Sequence, residues 1–297
     1  MQQQDDGRSR SLPLHYPISP SPHHPIDSRP LSAIGRRARL DLVFEYRRGR
    51  TVLADAYAEP PFRVGRALDA GPYAYVILAC TGPGVFGGDA LEQRIRVARG
   101  ARVLLVSQAA LQVHPTDAAG AATVESRFEV EPDGELDCFW DPVIPFAGAR
   151  LAQRIDLQSA AGSRLFWSDA LMAGRTGHGE SWRFDDLAHE LRFQVDGRLM
   201  YLERYRLTPR SRPVERTWIA GNAQYVGTTL VHGPQATAEN AGRLQQQLCA
   251  IGGDVRGGVD RVAPNLLVGR VLAARGPQFA AARAMFRQAF GRPDRRT

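Results

Sequence analysis

The 297-residue chain contains no lysine at all. All 38 basic residues are arginine, and against 31 acids they leave a formal net charge of +7, which gives only a mild preference for acidic partners. The arginines are scattered rather than gathered into a stripe, so a nucleic-acid interface is not expected. Cysteine is almost as scarce. Cys80, Cys138 and Cys249 are an odd set, far apart and without a CxxC pair, which excludes a disulfide framework or a thiolate zinc site and leaves reduced, structural thiols. No apolar run approaches the ~20 residues that span a bilayer, and the N-terminal region has no apolar signal core, so a cytoplasmic protein with no membrane partner is expected.

Signatures of catalysis are missing too. Ser107, His114 and Asp117 occur in order, yet no GxSxG elbow surrounds the serine. There is no HExxH, and the seven histidines never fall at helical ligand spacing. The glycines from Gly82 to Gly88 lack the GK[ST] ending of a phosphate loop and lead into Asp89, whose charge repels phosphate.

What is present is strand, turn and strand. Residues 1–36 carry six of the 20 prolines and no apolar periodicity, so a disordered tail is expected there; His15, His23 and His24 within it are either a loose metal site or simply solvated. From residue 37 to 297 we expect one β-rich domain with a helical C-terminal part. Leu40, Leu42, Phe44 and Tyr46 alternate before the turn Arg47–Arg50 and a returning strand at Thr51–Ala54, the pattern of a hairpin. An apolar strand, a glycine turn and another apolar strand then recur around Gly100, Gly134, Gly162 and Gly197, at spacings of 34, 28 and 35 residues. Such a repeat predicts a mainly β fold of stacked or β-helix-like sheets, although a sandwich leaves much the same imprint. Residues 236–250 and Pro277–Phe290 read as two short helices, with strand-like Leu266–Leu272 between them.

Carboxylates beside the glycine turns or on alternating strands form the candidate chemistry: Asp89, Glu92, Asp141, Asp169, Glu180 and Glu203. Each taken singly is explained by a solvated strand face or an arginine partner. Taken together, oxygen donors bind a divalent cation weakly and release it readily, which suits a protein that passes a metal onward. The alternative is a β-helical carbohydrate hydrolase or lyase, which needs two acids about 5–9 Å apart in an open groove, with Trp140, Trp167 and Trp182 as sugar platforms.

Five ordered blocks decide between these. Cys80–Val113, with its ThrGlyProGlyValPheGlyGlyAsp opening, is followed by TrpAspProValIleProPheAlaGlyAlaArg (Trp140–Arg150), PheTrpSerAspAlaLeu (Phe166–Leu171), GlyArgThrGlyHisGlyGlu (Gly174–Glu180) and AspGlyArgLeuMetTyrLeuGluArg (Asp196–Arg204). Together they resemble the UreD (UreH) family of urease accessory proteins across roughly residues 38–208. The resemblance implies a β-rich nickel-insertion chaperone rather than an enzyme. Its partners would be the urease apoprotein, UreF and, through UreF, the GTPase UreG, with a homodimer of that complex as one assembly. Nickel would be held transiently, in an internal water-filled passage, and the matching positions Asp89, Glu92, Asp169 and Glu203 are its candidate lining. One departure stands out. Where the family usually has ThrGlnAlaAla followed by a basic residue and Tyr, this chain has SerGlnAlaAla, Gln112 and His114, which makes His114 either a nickel ligand or a satisfied turn residue.

Overall fold

A computed structural model describes residues 35–115 and 120–290. The Pro-rich tail, its three histidines and Asp117 lie outside the described residues. The chain enters as a hairpin of β1 (Arg37–Arg47) and β2 (Arg50–Ala58), followed by the short β3 (Phe62–Val64) and β4 (Leu68–Ala70) and by β5 (Tyr73–Cys80). Successive coils come next. β6 (Ala90–Val97) leads to β7 (Arg102–Ser107) and β8 (Leu111–Val113); β9 (Ala122–Val130) leads to β10 (Glu135–Phe139) and β11 (Val143–Pro145); β12 (Arg150–Ser159) leads to β13 (Arg164–Met172).

Each coil lays one strand on each of two sheets. In the first sheet β1, β6, β9, β12 and β14 (Asp186–Val195) pair side by side and parallel. In the second, β5, β7, β10 and β13 do the same, while β8 and β11 add a short parallel third face. Parallel ladders built from consecutive coils make this a β-solenoid-like stack, mainly β, rather than an antiparallel sandwich.

One turn shape closes the coil corners. In Ala98–Ala101, Glu131–Gly134 and Ala160–Ser163 the fourth amide donates to the first carbonyl at 3.0, 3.0 and 3.1 Å. The third residue is left-handed in all three, namely Gly100, Asp133 and Gly162 at φ 71°, 61° and 79°. The middle corner therefore uses Asp133, not Gly134, for the left-handed position. Counted this way the corners fall 33 and 29 residues apart, the same offsets as the register Glu135↔Arg102 and Glu135↔Arg164. The fourth glycine in the series behaves differently. Asp196 and Gly197 both have positive φ (48° and 76°), a two-residue reverse turn that folds β15 (Arg198–Leu207) back antiparallel on β14 within the same sheet. A hairpin, not another coil, ends the stack there.

Alternation along the strands fills the interior. Leu91, Ile95 and Val97 of β6, Phe128 and Val130 of β9, Ile155 and Leu157 of β12, and Leu191 and Phe193 of β14 are all buried between the sheets. Each contributes about 1.5–3 kcal/mol by leaving water. After β16 (Tyr225–His232), α1 (Ala238–Ala250), β17 (Val255–Ala263) and β18 (Leu266–Ala273), the described chain closes with α2 (Gly276–Ala289). β16 pairs antiparallel with β13, β18 with β16, and β17 with β18, extending the second sheet.

Both helices cover the outer face of that extension. Thr237 caps α1 by accepting from the Asn240 amide at 3.2 Å, and Ala241, Leu244 and Leu248 are buried. α2 carries Pro277 in its first turn and buries Phe279, Ala282 and Phe286 against the sheet. It also buries Arg283 and Arg287, which sequence patterning would have left in water. The Arg283 guanidinium lies 3.9 Å from the Phe139 ring centre and donates to Ser168 Oγ at 3.0 Å and to the Trp140 carbonyl at 2.6 Å. That grip fixes β13 from outside.

Candidate functional site

On β13 the side chains alternate, so Phe166 and Ser168 face the helices while Trp167 and Asp169 face the space between the sheets. That space is a cavity of about 120 Å³. Its wall includes Leu78 and Cys80 on β5, Ser107 at the end of β7, Trp140 and Asp141 after β10, Asp169 on β13 and Thr228 on β16. Opposite stand Gln93 on β6, Ser126 on β9, Gln153 on β12, His189 on β14 and Tyr205 on β15. Crossing five neighbouring strands at ~4.8 Å each, the cavity extends ~19 Å along the stacking direction, so it is long and narrow.

The polar lining arises at strand positions where the apolar alternation breaks. Gln93 is in register with Ser126, Gln153 with His189, and His189 with Tyr205. These groups also hold one another. His189 Nδ1 lies 3.0 Å from Gln153 Oε1, and its ring stacks on Tyr205 with centroids 4.7 Å apart. Ser107 donates to Asp141 Oδ2 at 3.0 Å and accepts from the Asp141 amide at 2.7 Å.

Asp169 is the acid of the cavity. Its Oδ2 is buried and makes no hydrogen bond among the described residues, and the buried indole nitrogen of Trp167, two positions before it on the same face, likewise makes none. The two lie close enough for the indole N–H to oppose the rise in the Asp169 pKa, and a donor and an acceptor left outside direct hydrogen-bond geometry beside a cavity are what bridging water satisfies. Burial pushes the Asp169 carboxyl above the usual carboxylate range; His189 opposes that shift and Glu203 adds to it. Burial, with Asp169 and Glu203 as nearby anions, likewise holds the Tyr205 phenol well above its ordinary value.

Glu203 lies next to this end of the cavity on β15, 95% buried. It accepts from Tyr201 Oη at 2.9 Å and Thr228 Oγ1 at 3.1 Å, and it pairs with Arg270 of β18 at 2.8 Å. Asp169 and Glu203 are thus brought together. The structure does not bring the other two candidates to them.

Asp89 is a turn-former. Its carboxylate accepts from the Arg36 amide at 2.6 Å and the Phe86 amide at 3.0 Å, with the Arg36 guanidinium at 3.5 Å, and so ties the start of β1 to the turn before β6. It stands outside the cavity wall, near Cys80, whose thiol is raised by burial and further by the Asp89 charge. Glu92 points to the opposite face of β6, where Arg94 Nε donates to it at 3.0 Å in an outer groove of alternating charges. The two-residue period placed Glu92 on the polar side of its strand; that side is the outside of the solenoid.

The remaining sequence candidates resolve the same way. Glu180 accepts from Arg175 Nε at 2.9 Å. His114 Nε2 lies 2.7 Å from the Pro83 carbonyl, and its ring stacks on Phe86 at 4.6 Å, so it is a satisfied turn residue, while Ser107 is bonded to Asp141. Trp140 and Trp167 pack edge to face at 6.1 Å, and Trp182 is buried with its indole donating to the Ala223 carbonyl at 3.2 Å, so these three do not form a row of open sugar platforms. Sequence reasoning missed His189, Gln153 and Tyr205. The signal was there in Gln153 and His189, polar residues on the inward period of otherwise apolar strands.

Among the described residues no cluster of three or more His, Cys, Asp or Glu is placed to hold a metal ion, and no helix is long and apolar enough to cross a membrane. Residues 36–296 match the UreD urease accessory protein family. The chain is 35% identical over 204 residues to a urease accessory protein UreD of Sorangium cellulosum, covering 69% of this chain and 64% of that protein. A UreD of Halalkalibacterium halodurans is 31% identical across 66% of this chain and 73% of its own length. A third, from an Anaeromyxobacter species, is 29% identical across 89% and 88%.

Proposed function

The chain belongs to the UreD family of urease accessory proteins, and from that membership we propose that it acts in urease maturation as a nickel-passing scaffold. In this reading it binds the urease apoprotein on one side and UreF, with UreG beyond it, on the other, and it carries out no covalent step itself. The observation that supports transit is Asp169, a carboxylate with one orphaned oxygen on the wall of a mostly apolar cavity that carries a few polar side chains and runs along the solenoid. A negative wall in a confined, low-dielectric space raises the local concentration of a cation without gripping it. Nickel is the cargo, and Asp169 with neighbouring Glu203 marks one end of its route. Asp89 and Glu92 support the route only indirectly, one by shaping the turn before β6 and the other from the outer face.

Coexpression with the urease structural subunits, UreF and UreG tests the binding half. Copurification with urease or UreF is expected, and an unaccompanied chain would remove the scaffold reading. Asp169→Asn tests the transit half, with nickel-dependent urease activity expected to fall while the partners still copurify.

A further inference from the structure

We propose that His189 Nε2 and the Asp169 carboxylate form a two-ligand stopping site inside the cavity, selective for a borderline divalent cation such as nickel over hard cations such as magnesium. The site deepens the transit reading and rests on it for its biological use. The geometry points to it from His189. This residue is 95% buried and lines the cavity. Its Nδ1 faces the Gln153 side-chain amide at 3.0 Å; with the amide oxygen as the acceptor, Nδ1 carries the proton and Nε2 the lone pair. Nε2 itself makes no hydrogen bond among the described residues, and its ring is clamped against Tyr205.

A histidine held through one nitrogen by an amide or carboxylate oxygen, with the other nitrogen free, is the arrangement found at metal-binding imidazoles. Asp169 lines the same cavity from the facing sheet and lies within electrostatic range of the imidazole. One imidazole, one carboxylate and water make an incomplete shell, hence weak and exchangeable binding. The nitrogen supplies what a purely acidic passage lacks. Oxygen donors alone favour magnesium and calcium, whereas an imidazole favours nickel, copper and zinc. A single buried nitrogen would therefore sort the cation in transit.

The test uses the full-length chain with 15N-labelled histidine, observed by long-range NMR correlation so that the tail histidines are told apart from His189. In metal-free protein His189 should show the Nδ1–H tautomer. Adding Zn2+ should shift its Nε2, Ni2+ should broaden it, and Mg2+ at the same concentration should leave it unmoved. Asp169→Asn and Gln153→Leu should each weaken the response about tenfold, the first through a lost ligand and the second through a lost orienting bond. A His189 signal unmoved by saturating Zn2+, an Nε2–H tautomer, or an equal shift with Mg2+ would overturn the proposal. These readings need no variant to fold. The outcome also separates the site from the passage. If Asp169→Asn abolishes urease activation while His189 ignores metal, transit survives and this site falls. If His189 binds metal while His189→Gln and Asp169→Asn activate urease normally, the site stands and the route lies elsewhere.

Discussion

The two faces of the first sheet carry the same kinds of residue and treat them in opposite ways. On the outside, acids and arginines are interspersed, and several acids meet a cation: Glu92 with Arg94, Glu190 with Arg204 at 2.7 Å, Asp186 with Arg206 at 2.6 Å. Such exposed pairs are screened by water and salt and contribute little to stability. On the inside, polar side chains are few, and Asp169, reaching across from the second sheet, makes no salt bridge with any arginine among the described residues. A carboxylate left unpaired in an interior costs free energy, and that cost is borne here at a cavity rather than in solid core. Charge on the outside is solvated and paired; the interior carboxylate sits on a cavity wall without an ion-pair partner among the described residues.

This contrast breaks most visibly in function. Asp169→Asn should reduce nickel-dependent urease activation at least tenfold in the coexpression assay, whereas Glu92→Gln should leave it unchanged. Equal effects of the two would erase the distinction between inside and outside. Next in size is Arg270→Met, which leaves Glu203 buried without its cation and should lower stability by about 1–3 kcal/mol in denaturant unfolding. Adding Glu203→Gln should recover most of that loss, since the uncompensated charge is then gone.

A smaller effect has a sign that pH reveals. Burial raises the Asp169 pKa, so the folded chain binds this proton more readily than the unfolded chain. The group therefore favours folding below the ordinary carboxylate range, and the advantage is lost as pH rises through the raised value. Asp169→Asn should accordingly raise the melting temperature by about 2–4 °C at pH 8 and give no difference near pH 3. A difference that grew on acidification would show that the carboxylate is stabilised as an anion. Smallest of all, Arg94→Gln on the outer face should change stability by less than about 0.5 kcal/mol.

Much of the architecture was legible because its determinants are local. The alternation in Leu40–Tyr46 and the recurring glycine turns gave the strands and the stacking, and Pro277 with Phe279, Ala282 and Phe286 gave the last helix. Where the reading slipped, distant contacts had decided. Gly134 and Gly197 look alike in sequence, each following an aspartate. Behind Pro132 the first pair closes a corner between sheets, while Asp196–Gly197 reverses the chain within one sheet. The strands β16 and β17 were not anticipated, since Gly227, Gly257 and Gly258 mask their alternation. Of the four candidate acids, Asp169 and Glu203 fall beside the cavity. Nothing within a strand distinguishes Asp169 from Glu92, because which face becomes the interior is settled only when the second sheet arrives.

The corner turns carry one more implication. Gly100, Asp133 and Gly162 each come ten residues after Ala90, Thr123 and Ala152, which lie in register across three strands, whereas the full coils measure 33 and 29 residues. All the variation in circumference is thus confined to the path back from the second sheet. A lineage can gain or shed residues on that return path, altering the outline it shows to partners, and still inherit the inner pairs Gln93–Ser126 and Gln153–His189 undisturbed.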